Sequence, residues 1–433
     1  TVQVDDRTPG ARISTYAMTY DGLDRLQRLV ERAGETVRNT TSFTYDENGN
    51  PTSRTHDDVW SQFDYDARNL VERVTNARTP SDSDRNVTTF AYDARGLMTR
   101  QGKPNGNTVD FAYFLDGALQ HQIERKRDAG AVVAEHTLEY GPNGDPSRDV
   151  SRLMNADDPA ATLDNTYAYT YDPRDRIAQV TKTGDRPNTE TDIHDANSNV
   201  IEQTSDEVTT THNYDRNRLI SSTARGVTSS YNYDPLGRLN TVSSGGQIIS
   251  DNTYDPFDRT GSETTNAGGT GEKRTDLNYL GISGDVLSEQ QNGRVVKSYQ
   301  TSPGGSKITQ IKVNEDDGRE VSHFTYHPKG DVEALTKDDG NIRTTYGYTA
   351  YGSNDESKFT GVDKPDPQNP DQEPYNAYRF NAHRFDHAAG TYDMGFRDYD
   401  PGLNRFLTRD MYAGALDDLN LTGSPASGTR PSM

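Results

Sequence analysis

The chain has 433 residues, a formal net charge of −21, 25 tyrosines and no cysteine. The excess of acid argues against binding to nucleic-acid phosphates, the lack of cysteine excludes disulfides, and no apolar run reaches the ~18 residues of a membrane span. Only 30% of residues are hydrophobic, which with this charge would ordinarily indicate disorder, but tyrosine joins a large apolar ring to a polar tip and can order a sheet without an oily core.

A tyrosine-aspartate motif followed by a turn signal is repeated along residues 1–345. The first copy is MTYDGLDRLQRLV, which begins at Met18, and the clearest copy is TSSYNYDPLGRLNTV at 228–242. In that copy the tetrapeptide 234–237, Asp-Pro-Leu-Gly, places each residue type at a favoured position of a β-turn. β-branched and small polar residues flank the turn on both sides. Each copy therefore predicts one antiparallel β-hairpin.

The central aromatic residue of the motif, replaced once by histidine, recurs every 20 to 30 residues or so. It stands at positions 20, 45, 65, 92, 113, 140, 171, 194, 214, 233, 254, 279, 326 and 348, with Tyr299 as a further member. Two strands of about six residues and two turns come to roughly 20 residues. The period therefore predicts an all-β fold of consecutive antiparallel hairpins.

One segment, 21–34, competes for a helix because Leu23, Leu26, Leu29 and Val30 have helical spacing. It occupies the slot after Tyr-Asp that is strand-like in the other copies. We therefore predict a strand there.

The composition changes after residue 345. A Pro- and Asp-rich stretch at 354–374 indicates an exposed loop, and a dense aromatic block follows at 375–412. The last residues, 413–433, are small and polar and indicate a loose tail. The sequence thus divides into 1–345, 346–412 and 413–433.

Two segments have the composition of a metal site. In HRFDH, a continuous strand would put His383 and His387 on one face and Asp386 on the other, with no further ligands nearby. In DENGNP, Pro51 stands where a calcium loop needs glycine. We predict neither a metal nor any other cofactor.

The Tyr-Asp hairpins resemble the YD repeats of Rhs proteins, of toxin-complex C subunits and of teneurins. Residues 346–412 resemble the Rhs repeat-associated core that follows such repeats. The matching motifs, in order, are Tyr351-Gly352, Arg379-Phe380, Tyr392-Asp393, RDYDP at 397–401 and RFLTRD at 405–410.

The resemblance implies an antiparallel sheet that spirals into a hollow shell. Such a shell encloses a C-terminal toxin, releases it in competition between bacteria, and is secreted or lies at the cell surface. About 30 strands at about 4.8 Å each would form one ring only about 45 Å wide, so we expect this chain to be the C-terminal part of a larger shell with further N-terminal repeats. The alternative is a cell-surface recognition protein whose exposed tyrosines stack on sugars.

The resemblance also implies aspartic self-cleavage, in which two carboxylates share one proton. Asp410, with Arg409 beside it, occupies the position of the family's acid. The partner is Asp417, Asp418 or an acid beyond this chain, and the alternative is that all are solvated acids on a polar tail. Because residues 411–433 lack the family's Asn-Pro turn and Asp-x-x-Gly segment, we expect this chain alone to stay uncut.

Overall fold

The computed structural model describes residues 2–4, 14–56, 59–127, 130–171, 177–185, 187, 190–195, 199–205, 208–216, 218–366, 368–369, 372–395 and 397–407. Within these ranges the regular structure is antiparallel β apart from two short 3-10 helices, Glu356–Lys358 and Phe380–Ala382. The all-β prediction is confirmed. None of the helices described is long and apolar enough to cross a membrane.

Sheet 1 contains fifteen strands, and each is hydrogen-bonded to the next along the chain. They are β1 (Val2–Val4), β2 (Ser14–Tyr20), β3 (Leu26–Ala33), β4 (Thr36–Tyr45), β5 (Pro51–His56), β6 (Val59–Tyr65), β7 (Val71–Ala77), β8 (Asn86–Tyr92), β9 (Met98–Gly102), β10 (Thr108–Tyr113), β11 (Leu119–Arg125), β12 (Val132–Tyr140), β13 (Pro146–Met154), β14 (Thr162–Tyr171) and β15 (Ile177–Gly184). The segment that competed for a helix forms strand β3, as predicted.

Sheet 2 continues the same pattern over sixteen strands. They are β16 (Glu190–His194), β17 (Val200–Ser205), β18 (Val208–Asp215), β19 (Arg218–Ala224), β20 (Val227–Tyr233), β21 (Leu239–Ser244), β22 (Gln247–Tyr254), β23 (Thr260–Thr265), β24 (Lys273–Tyr279), β25 (Val286–Gln291), β26 (Arg294–Thr301), β27 (Lys307–Val313), β28 (Arg319–Tyr326), β29 (Val332–Thr336), β30 (Ile342–Thr345) and β31 (Thr360–Gly361). Sheet 3 consists of β32 (Arg384–Asp386), β33 (Thr391–Asp393), β34 (Asp398–Asp400) and β35 (Arg405–Phe406).

The motif turn closes several hairpins in the same way, and the turn at Asp234 illustrates it. The Gly237 N–H donates to the Asp234 carbonyl (2.9 Å), and the Asp234 carboxylate accepts from the N–H groups of Leu236 and Arg238 (both 2.9 Å). Gly237 has φ +85°, which a side chain would strain, and the register shifts by one residue at Tyr233. A tight turn, a left-handed residue and a bulge together make a standard hairpin connection.

The repeat tyrosine contacts the preceding hairpin. The Tyr233 hydroxyl donates to the Leu219 carbonyl (2.9 Å), and the Tyr254 hydroxyl donates to the Leu239 carbonyl (2.7 Å). The same bond is made by the tyrosines at 45, 65, 92, 113, 140, 171, 214, 279, 326 and 348. The tyrosine therefore ties each repeat to the one before it.

The arginine that follows the turn in several copies contacts the next hairpin. Arg238 pairs with Asp234 of its own turn (2.6 Å), and its guanidinium carbon lies 4.6 Å from the centroid of the Tyr254 ring. Arg25 and Arg259 make the same two contacts in their own repeats. In these copies the tyrosine bonds the previous repeat, the aspartate closes the turn, and the arginine contacts the next repeat.

One predicted repeat position is wrong. In the hairpin of β26 and β27 the register shift falls at Thr301, so this residue occupies the motif position and Tyr299 does not. Tyr299 is fully buried two residues earlier, where its hydroxyl donates to Glu289 (2.8 Å).

Contacts between sheets 1 and 2 advance in the same direction along both. Arg54 bonds Thr301, Lys103 bonds Thr325, His136 bonds Glu333 and Lys182 bonds Asp355, at separations of 247, 222, 197 and 173 residues. A ribbon folded back on itself would pair its lowest numbers with its highest, so this parallel order requires a spiral. One turn of the spiral takes up about half of the chain. The estimate from the sequence, which placed all the strands in a single ring, is therefore wrong.

The core is divided among small clusters and contains many polar groups. The largest apolar cluster joins sheet 2 to the segment after it. It contains Leu277, Tyr279, Val286, Tyr299, Phe324, Val332, Leu335, Tyr346, Phe359, Tyr375 and Tyr378. Lys103 and Glu124 of sheet 1 form a buried ion pair (2.5 Å), and both side chains bond the Thr325 hydroxyl of sheet 2, so the spiral is sealed by polar contacts as well as by apolar packing.

Candidate functional site

The predicted site lies where the described chain ends. Arg409 and Asp410 lie outside the described residues, as do Asp417, Asp418 and the whole tail. Immediately before them, the Leu407 N–H donates to the Asp398 carbonyl (2.8 Å) and continues the pairing of β34 with β35. The chain therefore reaches residue 407 beside Asp398.

Asp398 is buried in an environment that favours its protonated form. Burial, reinforced by the negative charge of Asp393, raises its pKa to about 8. The Tyr254 hydroxyl, which bonds the Leu239 carbonyl (2.7 Å), also donates to a carboxyl oxygen of Asp398 (3.2 Å), and this hydrogen bond opposes the rise in the pKa of Asp398.

Two further acids flank Asp398. Asp393 lies directly opposite it on β33, and burial raises the pKa of Asp393. Burial raises the pKa of Asp400 to about 7, although the N–H groups of Gly402 and Leu403 bond its carboxylate and oppose the rise. A carboxylic acid that keeps its proton near neutral pH beside other carboxyl groups has the environment that general acid catalysis requires.

The tyrosines of the predicted core repeat the role of the hairpin tyrosines. The Tyr392 hydroxyl donates to the Gly352 carbonyl (3.1 Å), and the Tyr399 hydroxyl donates to the Tyr351 carbonyl (2.8 Å). Arg405 bonds Asn199 at the start of sheet 2. These contacts fix sheet 3, and with it Asp398, against the repeats.

The structure changes the interpretation of HRFDH. The strand stops at Asp386, and a turn follows, so Asp386 and His387 both face Glu263 of β23. One ligand atom from each of these three residues lies within 4.8 Å of the other two, and His383 is not part of the group. Sequence reasoning missed Glu263 because no local spacing connects it to His387.

A second cluster, His136, Asp149 and His327, also went unpredicted. His136 bonds Asp149 through Nδ1 (3.1 Å) and Glu333 through Nε2 (2.8 Å). Burial lowers the pKa of His136, but the charges of Glu333 and Asp149 outweigh it and raise the pKa to about 10. A cationic His136 therefore bridges two buried carboxylates, one from each sheet.

The hydrogen bonds of His327 argue against a metal in that cluster. The Lys329 N–H donates to His327 Nδ1 (3.0 Å), so this nitrogen carries a lone pair. The ring proton is then on Nε2, which donates to Asp149 (2.8 Å) and cannot also bind a cation. We call this cluster, in which His136 of sheet 1 joins Asp149 of sheet 1 to Glu333 of sheet 2 by charged hydrogen bonds, the clamp between the two sheets.

Comparison with known proteins agrees with this architecture. No protein-family model matches the chain. It is 24% identical over 461 residues to the tRNA3(Ser)-specific nuclease WapA of Bacillus spizizenii, a match that covers 98% of this chain and 15% of the relative.

Two solved structures have a similar fold. The crystal structure of TcdB2-TccC3-Cdc42 matches with a TM-score of 0.51 and 17% identity over 94% of this chain and 26% of that chain. A Photorhabdus luminescens Tc holotoxin pore with a mutant TccC3 matches with a TM-score of 0.50 and 16% identity over 94% of this chain and 25% of that one. The chain therefore spans no more than about a quarter of these relatives, and it shares an antiparallel β fold with part of these toxin-complex chains.

Proposed function

We propose that this chain is a wall segment of an Rhs-type shell that encloses a C-terminal toxin and helps to release it in competition between bacteria. The main support for this proposal is that the contacts between sheets 1 and 2 advance in the same direction along both sheets. A ribbon that spirals and packs against its own preceding turn forms a wall. The similarity to a nuclease and to toxin-complex structures supports a role in toxin delivery, from a secreted or cell-surface location.

The hairpin tips support further shell repeats as a partner. At the third position of the turn, Phe257 packs against Tyr16 (ring centroids 5.1 Å apart), and Lys329 lies 3.8 Å from the centroid of the Tyr169 ring. Both contacts join a tip of sheet 2 to sheet 1. At the same turn position, Leu236 is 60% exposed. We infer that this tip docks on another turn of repeat ribbon.

The sugar-recognition alternative lacks support. Among the tyrosines that the structure describes, Tyr20 is the exposed one, at 54%. The others are partly or fully buried, and most repeat hydroxyls bind the preceding hairpin. A row of open rings for sugar stacking is not present in the described repeats.

Protease protection in the complete parent protein tests the shell. We expect the toxin segment to resist trypsin as long as the repeats are intact, and to be digested when it is expressed alone. Leu236→Asp should open the wall and expose the toxin segment, whereas Ile220→Asp, a 41%-exposed position in mid-strand, should not. Equal digestion of the toxin segment in the wild-type parent, in its Leu236→Asp and Ile220→Asp variants and in the segment expressed alone would contradict enclosure.

We also propose that Asp398 is the acid partner of Asp410 in self-cleavage. Because Asp398 keeps its proton up to about pH 8, the cutting rate should fall above that pH. In a parent protein that carries downstream sequence, Asp410→Asn should abolish cutting and Asp398→Asn should slow it at least tenfold. The control is Asp276→Asn, at a partly exposed position on β24, and the present chain should keep one mass for days at pH 5 to 7. Undiminished cutting in either active-site variant would remove that residue from the mechanism.

A further inference from the structure

Glu263, Asp386 and His387 are held in place by a surrounding set of hydrogen bonds. The Ser250 hydroxyl donates to Asp386 (2.6 Å), and the guanidinium of Arg384 bonds Glu263. The N–H groups of residues 388 and 389 donate to the other carboxylate oxygen of Asp386 (2.9 and 3.0 Å). These bonds orient both carboxylates and leave lone pairs on their oxygens, as the groups around metal ligands do.

Two ligand positions have no partner. Glu263 is 5% exposed, and its Oε1 has no hydrogen-bond partner among the residues described. The His387 ring makes no hydrogen bond to the described part of the chain, so its nitrogen atoms are open to a ligand. Both side chains line a cavity of about 470 Å³, which has room for water ligands and an entry path.

We propose that Glu263, Asp386 and His387 bind a divalent first-row transition cation, Zn²⁺ or Mn²⁺, with water completing its coordination. One imidazole and two carboxylates suit these borderline cations better than Ca²⁺ or Mg²⁺. Zinc bonds of about 2.0–2.2 Å need ligand atoms about 3.5 Å apart, and because the present ligand atoms all lie within 4.8 Å of one another, the side chains need to close by no more than about an ångström. The ion would join β23 of sheet 2 to β32 of sheet 3.

Calorimetric titration of the EDTA-treated chain with ZnCl₂ and with MnCl₂ tests the site. We expect one ion per chain and a raised melting temperature. His387→Ala and Glu263→Gln should each weaken binding at least tenfold. His383→Ala is the matched control, because it removes a half-buried histidine four residues away that lies outside the cluster, and it should bind like the wild type.

Three results would overturn the proposal. They are no binding of either ion by the wild type, less than a threefold difference between the His387→Ala and His383→Ala proteins, or binding without a change in melting temperature. Circular dichroism of every variant confirms its fold. If the His387→Ala protein fails to fold, Glu263→Gln decides, because glutamine keeps the size of the side chain and an oxygen acceptor for Arg384.

Discussion

Replacing His136 by glutamine should lower the free energy of unfolding by about 3–5 kcal/mol. His136 is 1% exposed and holds two buried carboxylates, and removing one partner from such a network typically costs about 3–5 kcal/mol. The rise in its pKa from 6.5 to about 10 corresponds to a similar amount, about 5 kcal/mol. Because the folded pKa is raised, this stabilisation is complete below pH 6.5 and is lost as the pH rises through about 10.

Urea denaturation between pH 6 and pH 11, combined with hydrogen exchange in β12 and β29, measures the effect. The control is His121→Gln, since His121 of β11 pairs with Glu135 of β12 (3.0 Å) at a position where both side chains are only partly buried. The control should lose less than about 1 kcal/mol. Equal losses in the two variants would refute the clamp, and so would a difference between wild type and His136→Gln that grows from pH 8 to pH 11.

Three further changes test the repeat and the acid cluster. Tyr233→Phe removes the hydroxyl that bonds the preceding hairpin and should cost about 1 kcal/mol in urea, whereas exposed Tyr20→Phe should cost nothing measurable. Gly237→Val forces a branched side chain to φ +85° and should lower the free energy of unfolding by about 1–3 kcal/mol. Hydrogen exchange should become faster only within 219–254, because repeats couple mainly to their neighbours. A uniform increase in exchange along the chain would contradict the repeat architecture. Because the raised pKa of Asp398 keeps a proton that the unfolded chain loses, wild-type stability should fall from pH 4 to pH 8, and Asp398→Asn should make that slope shallower, since Asp400 with its raised pKa still contributes.

Local turn chemistry explains why the sequence predicted the hairpins. Aspartate, proline and glycine act within four residues, so the turn at 234–237 and the strand character of 21–34 could be inferred directly. The position of the bulge is harder to predict than the turn, because it depends on which residue pairs with the partner strand. Tyr299 and Thr301 are two residues apart and share a face, and only the pairing with β27 shows that Thr301 occupies the motif position.

The clusters that carry charge depend on the pitch of the spiral. His136 meets Glu333 across 197 residues, and Arg384 meets Glu263 across 121. No pattern in the sequence records how many repeats complete one turn, so these partners could not be inferred. The catalytic assignment of Arg409 and Asp410, like the division at residues 345 and 412, stays a prediction.

The bulges at the motif turns have a mechanical consequence. Each adds one residue to one strand of its pair, and they recur at the turn-proximal end of hairpin after hairpin. Among the described strands, the pairs β3–β4, β11–β12, β21–β22, β25–β26 and β29–β30 are also bulged, at the opposite edge. A bulge bends its strand and increases the twist, and the increments at the motif turns exceed those at the opposite edge because they are more numerous. The ribbon therefore curls like a strip whose two edges differ in length. Adding repeats would lengthen such a wall at constant curvature, so the enclosed volume would grow by stacking turns and its width would stay the same.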